Sequence, residues 1–186
     1  MKIILASSST YRKELLQRLN LKFSCYSPNI DEKLDSSLSF EQNAIAISTK
    51  KAQLVSKIHP HVLIIASDQL CTFDRKVLSK PGDFKKAYQQ LKLASGHALI
   101  FYTGLSVYSP RDKKYITYCD QTTVVFRKLK NQEIIDYLNH DQPYDCAGSF
   151  KAESMGISLF KKIISQDPTA LIGLPLIKLS EILRGL

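Results

Sequence analysis

Near its N-terminus the sequence reads Lys2-Ile-Ile-Leu-Ala-Ser-Ser-Ser-Thr-Tyr-Arg-Lys-Glu-Leu-Leu15. A short apolar strand here runs into a loop rich in hydroxyl side chains and then directly into a helix. The first backbone N–H groups of such a helix lack intrahelical partners, and the helix dipole places partial positive charge at the same point. The segment therefore predicts a phosphate-binding site at the start of the helix. An ordinary N-cap, for which Ser and Thr are common, explains the same hydroxyls equally well.

Cationic side chains could complete this site. The fork of N–H groups on Arg12 suits two oxygens of one phosphate. Two lysines would join Arg12 in a ring of positive charge that suits a triphosphate. They are Lys51, on a predicted helix, and Lys80, before Pro81. The hydroxyl donors of the loop are Ser7, Ser8, Ser9 and Thr10.

Strand patterns alternate with helical patterns along the chain, which indicates an α/β fold without repeats or long linkers. Ser39 and Gln42 have the spacing of a capping box and predict the start of a long helix that runs to about residue 58. Further helices are predicted over 10–19, 83–94, 133–139 and 175–183. Strands are predicted over 2–6, 23–27, 61–67, 96–108 and 115–126, with a hairpin over 71–78 and with loops and short strands over 147–164.

The predicted strand over 61–67 is almost continuously apolar, as a buried strand is. It ends at Asp68, so we expect this carboxylate at the carboxyl end of a strand, where α/β proteins build their sites. A turn or cap role is the alternative. Asp31 and Glu32 offer further carboxylates in a loop, although adjacent acids in loops are often only solvated. Carboxylates, cations and hydroxyls together suit metal-assisted hydrolysis of a phosphoanhydride.

The chain carries a formal net charge of +9, from 26 Lys and Arg residues against 17 Asp and Glu residues. Such an excess favours polyanionic ligands, and both nucleic acid and nucleotide qualify. It keeps open a non-catalytic nucleotide- or RNA-binding protein, although no zinc-finger or RNP signature is visible. The acids Glu32, Asp68 and Glu153 oppose that alternative, because they would be unfavourable in a groove built only for polyanions.

The length of 186 residues and the hydrophobic content of 44% fit one domain over 1–186, or two lobes that share a sheet. No apolar run approaches the ~18 to 20 residues of a membrane span, and no cleavable signal pattern is visible. We therefore expect a cytoplasmic protein without a membrane partner. The four cysteines form no C-x-x-C pair and the four histidines lack metal-ligand spacing. The motifs of serine hydrolases, zinc proteases, P-loop proteins and Rossmann proteins are missing from the sequence.

Seven short motifs occur in order along the chain: Leu5-Ala-Ser-Ser-Ser-Thr-Tyr-Arg12, Asp31-Glu32, Lys50-Lys-Ala52, Ser67-Asp-Gln69, Lys80-Pro81, Cys146-Ala-Gly-Ser-Phe-Lys-Ala-Glu153 and Gly173-Leu-Pro175. They resemble the motifs of the Maf nucleotide pyrophosphatases, which hydrolyse nucleoside triphosphates to the monophosphate and pyrophosphate. The resemblance covers essentially the full chain. It implies an α/β fold, similar to the ITPases, in which helices flank a mixed, elongated, twisted sheet and two lobes surround a central cleft.

Three positions in these motifs read the base in this family, and here they hold Tyr11, Gln69 and Glu153. An aromatic residue, Gln and Glu resemble the branch that acts on 7-methyl-GTP, although that branch usually carries Trp in the aromatic place. Methylation at N7 gives guanine a delocalised positive charge, which an aromatic face attracts and an arginine repels. The alternative within the family is a dTTP/UTP pyrophosphatase, in which these positions typically hold Arg, Thr and Gln.

The resemblance also implies the roles of the other residues. Asp68 would be the catalytic base that activates water for attack at the α-phosphorus. Glu32 and Asp68 would hold a divalent cation, Mg²⁺ or Mn²⁺. The implied partner is a small-molecule nucleotide, without a stable nucleic-acid complex, and a homodimer is compatible because relatives often form dimers. The implied phosphate-binding residues are Ser7, Ser9, Arg12, Lys51 and Lys80.

Overall fold

Strands and helices alternate in the computed structural model, which describes residues 2–186. The strands are β1 (Ile3–Leu5), β2 (Ser24–Cys25), β3 (Leu63–Phe73), β4 (Lys76–Val77), β5 (Ala98–Ser109), β6 (Lys114–Phe126) and β7 (Phe160–Ile164). The α-helices are α1 (Thr10–Gln17), α2 (Phe40–Ile58), α3 (Phe84–Ala94), α4 (Asn131–Asp141) and α5 (Leu176–Arg184). Short 3-10 helices cover Ala147–Ser149, Met155–Leu159 and Ala170–Ile172.

The strands form one mixed sheet in the order β2-β1-β3-β5-β6-β7, and β4 pairs with β3. β1 is parallel to both of its neighbours, β2 and β3. The pairs β3–β4 and β6–β7 are antiparallel. A mixed sheet with helices along the chain between its strands confirms the predicted fold class.

The chain divides into two compact units. The first unit contains the chain up to Gln69 together with Tyr102–Gln121 and Asp167–Leu186. The second unit contains Leu70–Phe101 and Thr122–Gln166. Because the boundaries fall inside β3, β5 and β6, each of these strands contributes residues to both units.

Alternate residues of β1 pack into different clusters of the first unit. Leu5 belongs to the cluster that includes Leu15 of α1 and Leu179 of α5. Ile4 belongs to the cluster that includes Val55 of α2. Successive side chains of a strand point to opposite faces of the sheet, so helices cover both faces here. This two-sided burial explains why β1 and the first part of β3 are apolar at almost every position.

Aromatic side chains form the core of the second unit. The ring of Phe150 lies 5.4 Å from that of Phe101, 5.6 Å from that of Phe126 and 4.8 Å from that of Phe160, all edge to face. Each such pair contributes about 0.5–1.5 kcal/mol beyond the burial of its area. Phe150 therefore anchors the segment that leads to the predicted specificity residue Glu153.

The start of α2 is fixed by the capping box that the sequence predicts. Gln42 N donates to Ser39 Oγ at 3.1 Å, and Ser39 N donates back to Gln42 Oε1 at 2.9 Å. The buried side chain of Asn43 ties the preceding loop to the helix, because its Nδ2 donates to the carbonyl oxygens of Asp35 and Leu38. The capping box thus pairs the backbone N–H groups of Ser39 and Gln42 at the start of the helix that carries Lys51.

The prediction that β3 ends at Asp68 is wrong. The strand runs from Leu63 to Phe73, so Asp68 and Gln69 lie inside it. A polar pair after an apolar run often marks the end of a strand, but here both side chains find partners within the fold. Lys51 donates to Asp68, and Gln69 donates to Thr103. Buried polar groups that are hydrogen-bonded do not require the chain to leave the sheet.

Helix boundaries differ from the predictions by a few residues. α4 covers Asn131–Asp141 rather than 133–139, and α5 begins at Leu176 with Pro175 as its N-cap residue rather than in its first turn. The predicted hairpin is confirmed, with Thr72 paired to Val77 across β3 and β4. Within residues 2–186, no helix has the length and apolar content needed to cross a membrane.

Candidate active site

The loop between β1 and α1 brings predicted phosphate-binding residues together in the first unit. Ser9 is the N-cap residue of α1, and its Oγ accepts a hydrogen bond from Arg12 N at 3.4 Å. Ser7 is buried, and its Oγ accepts hydrogen bonds from Ser9 N at 3.1 Å and Arg12 Nη1 at 3.4 Å. Tyr11 is half-buried in the first turn of α1. The N-cap role of Ser9 is thus present, with its hydroxyl satisfying the N–H group of Arg12.

Lys51 joins the two carboxylates that the sequence predicts for the site. Its Nζ lies 2.7 Å from Asp68 Oδ1 and 2.7 Å from Glu32 Oε1. The side chains of Lys51 and Asp68 are 8% and 9% exposed, whereas that of Glu32 is 57% exposed. Two charges removed from water stay in place only when they are paired and hydrogen-bonded, so the ammonium fixes the position of Asp68.

Asp31 and Glu32 have different roles although they are adjacent. Asp31 Oδ1 accepts a hydrogen bond from Lys33 N at 3.0 Å, which forms a local turn of the kind that Asp favours. Glu32 instead reaches Lys51. Of the two acids, Glu32 alone supplies a carboxylate to the Lys51 cluster. Asp31 is an acid of the loop with a local hydrogen bond, as the alternative interpretation expects.

Arg12 is held by the segment before α5. Its Nε donates to Gly173 O at 2.9 Å, and Ser67 Oγ lies 2.8 Å from the same oxygen. Burial lowers the pKa of the Arg12 guanidinium below its usual value, while the nearby negative charges of Asp68 and Glu32 act to raise it. The guanidinium remains a cation because the ordinary pKa of arginine is far above neutral pH. The charges of the two carboxylates therefore act on this cation, whose Nε is already oriented by Gly173 O.

Gln69 has its side-chain nitrogen committed to the protein. Nε2 lies 3.0 Å from Thr103 Oγ1, 2.9 Å from Ala170 O and 3.0 Å from Leu171 O. Backbone carbonyl oxygens only accept hydrogen bonds, so the amide nitrogen must be the end that faces them. The Oε1 of Gln69 is therefore the group of this side chain that remains to accept a hydrogen bond from a ligand.

Asp167 organises the segment that supplies these carbonyl groups, and the sequence analysis missed it. Its Oδ1 accepts from Thr169 N at 3.0 Å, and its Oδ2 accepts from Ile177 N at 2.6 Å in the first turn of α5. The side chain is buried. No local motif reveals this role, because an acid nine residues before a helix does not have N-cap spacing. Thr103 was missed for a similar reason, since it is one of several Thr residues in predicted strands.

Two predicted site residues belong to the second unit. Lys80 is exposed and follows β4, and Glu153 is exposed between the 3-10 helices Ala147–Ser149 and Met155–Leu159. In the first unit, hydrogen bonds link one group of predicted site residues and ion pairs link a second group: Ser7, Ser9 and Arg12, and Glu32, Lys51 and Asp68. Tyr11 and Gln69 belong to the same unit.

The carboxylates of the site provide only some of the ligands that a Mg²⁺ ion needs. Among residues 2–186, no group of three or more His, Cys, Asp or Glu side chains has the arrangement of metal ligands. Glu32 and Asp68 do meet at one cation, the ammonium of Lys51. Mg²⁺ and Mn²⁺ prefer such oxygen donors, and Mg²⁺ often takes only one or two protein carboxylates, with water and substrate phosphates as its other ligands. The two residues therefore fit a divalent cation that arrives with a phosphorylated ligand.

The fold and site define a class of α/β proteins in which one unit of a mixed sheet holds both a serine-capped helix start and a lysine-linked pair of carboxylates. The family described as "Maf-like protein" matches residues 2–186. The chain belongs to the Maf family, which confirms the resemblance drawn from its motifs.

Curated relatives extend this similarity over nearly the whole chain. A 7-methyl-GTP pyrophosphatase of Pseudomonas syringae pv. syringae is 45% identical over 97% of this chain and 94% of its own length. A 7-methyl-GTP pyrophosphatase of Hydrogenovibrio crunogenus is 46% identical over 98% of this chain and 92% of its own length. Among solved structures, the Ham1 protein of Staphylococcus aureus matches with a TM-score of 0.56 and 14% identity, covering 100% of this chain and 99% of that chain. That structural match supports the fold alone.

Proposed function

We propose that this protein hydrolyses 7-methyl-GTP to 7-methyl-GMP and pyrophosphate, and so removes a modified nucleotide from the pool. One observation carries the proposal: Asp68 is buried and fixed by Lys51 beside Glu32 and the Arg12 guanidinium. Such a centre suits a negatively charged substrate that undergoes hydrolysis. The substrate is the one after which the relatives at 45% and 46% identity are named.

Asp68 is the general base of this reaction. The hydrogen bond from Lys51 engages Oδ1, and we assign Oδ2 to the proton of the attacking water. The water oxygen forms a bond to the α-phosphorus, its proton passes to Asp68, and the bond between the α-phosphorus and the bridging oxygen breaks. Pyrophosphate leaves with the electron pair of that bond. A positioned base of this kind contributes about 10²- to 10⁴-fold to the rate.

Cations and hydroxyls of the site bind the phosphates. The Arg12 fork and the hydroxyls of Ser7 and Ser9 stand at the start of α1, where the helix dipole favours anions. An ammonium has three N–H donors, and Lys51 uses two of them for carboxylates, which leaves one for a phosphate oxygen. We assign the exposed Lys80 to the leaving pyrophosphate.

Glu32 and Asp68 are the residues that would hold a divalent cation, Mg²⁺ or Mn²⁺. When bound, such an ion neutralises phosphate charge and polarises the phosphoryl oxygens. Lys51 already holds these two carboxylates close to one another, so both could supply an oxygen to an ion that arrives with the substrate.

Tyr11, Gln69 and Glu153 read the base. The ring of Tyr11 attracts the positively charged 7-methylguanine by a cation–π interaction of roughly 0.5 to 2 kcal/mol. Gln69 offers an acceptor, Oε1, because its nitrogen is held by Thr103 and backbone carbonyls. Glu153 accepts from N1–H and the exocyclic amine while offsetting the charge of the base. Such a protein acts on a small nucleotide in the cytoplasm, without a membrane or a stable nucleic-acid complex, and is compatible with a homodimer.

A panel of nucleotides tests the proposed substrate. With Mg²⁺ present, we expect pyrophosphate release to be fastest from 7-methyl-GTP when it is compared with GTP, dTTP, UTP and CTP. Asp68→Asn serves as the blank. Preference for dTTP or UTP would move the protein to the other branch of the family. Release from none of them, combined with RNA binding that weakens steeply with salt, would favour a binding protein instead.

Glu153→Gln tests how the base is read. We expect the ratio of kcat/KM for 7-methyl-GTP over UTP to fall by about tenfold, because a hydrogen bond to a charged group contributes ~1.5–3 kcal/mol and tenfold is ~1.4 kcal/mol. The matched control is Glu181→Gln, which removes the charge of an exposed residue on α5 that pairs with Lys178. An unchanged ratio in Glu153→Gln would remove Glu153 from the base-reading set.

A further inference from the structure

The last residue of α4, Asp141, is a buried acid that the proposed reaction does not use. Its side chain is 3% exposed. Its carboxylate accepts from Ser154 Oγ at 2.8 Å, from Gly156 N at 3.3 Å and from His140 Nδ1 at 2.9 Å. Two of these donors lie just after Glu153 in the sequence, so Asp141 holds the C-terminal side of the segment that carries that residue.

The N-terminal side of the same segment is held by the same turn of α4. Lys151 N donates to Tyr137 Oη at 2.9 Å, and Lys151 Nζ donates to Asp141 O at 2.8 Å. Hydrogen bonds to α4 therefore hold Lys151, two residues before Glu153, and Ser154, one residue after it. The side chain of Glu153 itself is exposed. This arrangement fixes the backbone on both sides of an exposed side chain.

The segment closes tightly on itself between these anchors. A Cβ on Gly156 would lie 2.3 Å from Lys151 O, so the two residues approach as closely as only glycine allows. Burial raises the pKa of the Asp141 carboxyl, but hydrogen bonds from His140, Ser154, Tyr137 and Gly156 outweigh it and hold that pKa below its usual value. The charged carboxylate, which has only acceptor sites, is thus the form that the surrounding donors favour.

We infer that Asp141 is a positioning residue for base selection: it fixes the segment 151–156 so that Glu153 is presented in one orientation. The inference rests on the proposed function, because Glu153 is taken to read the base. Asp141 acts through Glu153 and does not touch the phosphates. Its loss should therefore change the choice of substrate and leave the hydrolytic step intact.

Asp141→Asn is the direct test. Asn keeps the shape of Asp but has an NH₂ group in place of one acceptor oxygen, so it can no longer accept from both Ser154 Oγ and Gly156 N. We expect the ratio of kcat/KM for 7-methyl-GTP over UTP to fall by about tenfold, chiefly through KM for 7-methyl-GTP, with kcat for UTP unchanged. Asp136→Asn is the matched control, because Asp136 is exposed on the same helix and its side chain accepts a hydrogen bond from Gln132 of that helix.

A double variant separates positioning from general destabilisation. In the Glu153→Gln background, Asp141→Asn should cause no further fall in the ratio, since residues that act through one another are not additive. Hydrogen exchange of the Lys151 and Gly156 amides should accelerate in Asp141→Asn alone. Ser154→Ala, which removes one donor to Asp141, should shift the ratio in the same direction by a smaller factor and covers the case in which Asp141→Asn does not fold.

The outcomes are distinct. A changed ratio in Glu153→Gln with an unchanged ratio in both Asp141→Asn and Ser154→Ala would overturn the inference. A further fall in the double variant would also overturn it, because Asp141 would then act independently of Glu153. If Glu153→Gln itself left the ratio unchanged, the base-reading role and the inference would fall together, while pyrophosphate release from 7-methyl-GTP would still uphold the proposed reaction.

Discussion

Asp68→Asn is expected to lower kcat for pyrophosphate release from 7-methyl-GTP by about 10²- to 10⁴-fold, the contribution of a positioned general base. Asn has the same shape as Asp and still offers Oδ1 to the ammonium of Lys51, which lies 2.7 Å from it in the native protein. It cannot take a proton from water at neutral pH. Steady-state kinetics at saturating substrate measure the effect directly.

The fold of the Asp68→Asn protein should be retained, because Lys51 keeps Glu32 as a charged partner. Thermal unfolding and far-UV circular dichroism check this. Asp74→Asn is the matched control: Asp74 is exposed in the turn between β3 and β4 with a φ of +46°, a conformation that Asn adopts readily. Near-native kcat in Asp68→Asn, with the fold intact, would show that another group activates the water.

Gly104→Ala is expected to destabilise the protein by about 3 kcal/mol, at the upper end of the cost of overpacking. A Cβ at this position would lie 2.2 Å from Ala44 O, 2.4 Å from Ala44 C and 2.8 Å from Ile45 N. All three are backbone atoms of α2, so no side-chain rotation relieves the clash and the helix itself must move. For a chain of this length, ~2–4 °C per kcal/mol gives a fall in Tm of roughly 6 to 12 °C.

This substitution should also reduce activity, because α2 carries Lys51 and its displacement separates the ammonium from Asp68. Differential scanning calorimetry and kinetics on the same sample measure both effects. Gly185→Ala is the control, since its added Cβ would find its nearest neighbour, Ile182 O, at 3.5 Å, an ordinary contact. An unchanged Tm in Gly104→Ala would mean that α2 and β5 do not approach as closely as described.

Local patterns predicted the elements that depend on near neighbours. The capping box of Ser39 and Gln42 needs only three residues of chain, and it appears as predicted. The apolar strand over 61–67 lies within the observed β3 except for its first two residues, because a sequence of buried side chains has few other solutions. The end of β3 was misplaced because the partners of Asp68 and Gln69 come from distant parts of the chain.

The residues of the site also divide into those that the sequence reveals and those that only the fold reveals. The resemblance to the Maf family selected Lys51 as a phosphate ligand, but only the folded chain brings its ammonium to both Glu32 and Asp68. A glycine inside a predicted strand signals a close backbone approach, so Gly104 was open to prediction. The role of Asp167 could not be predicted, because its carboxylate binds Ile177 N ten residues later. The intervening segment has no helix or strand pattern that would indicate this contact.

The sequence by itself determined the α/β class, the helix start at Ser9, the capped helix α2 and the family, because propensity, capping and short motifs act over a few residues. Tertiary structure alone decided which acid of the Asp31–Glu32 pair binds Lys51, which end of the Gln69 amide the protein holds, and how Asp141 holds the segment that carries Glu153. Each of these outcomes depends on which polar group finds a partner from another element. Hydrogen bonds and ion pairs require contact within about 3 Å, and only folding brings such distant residues that close.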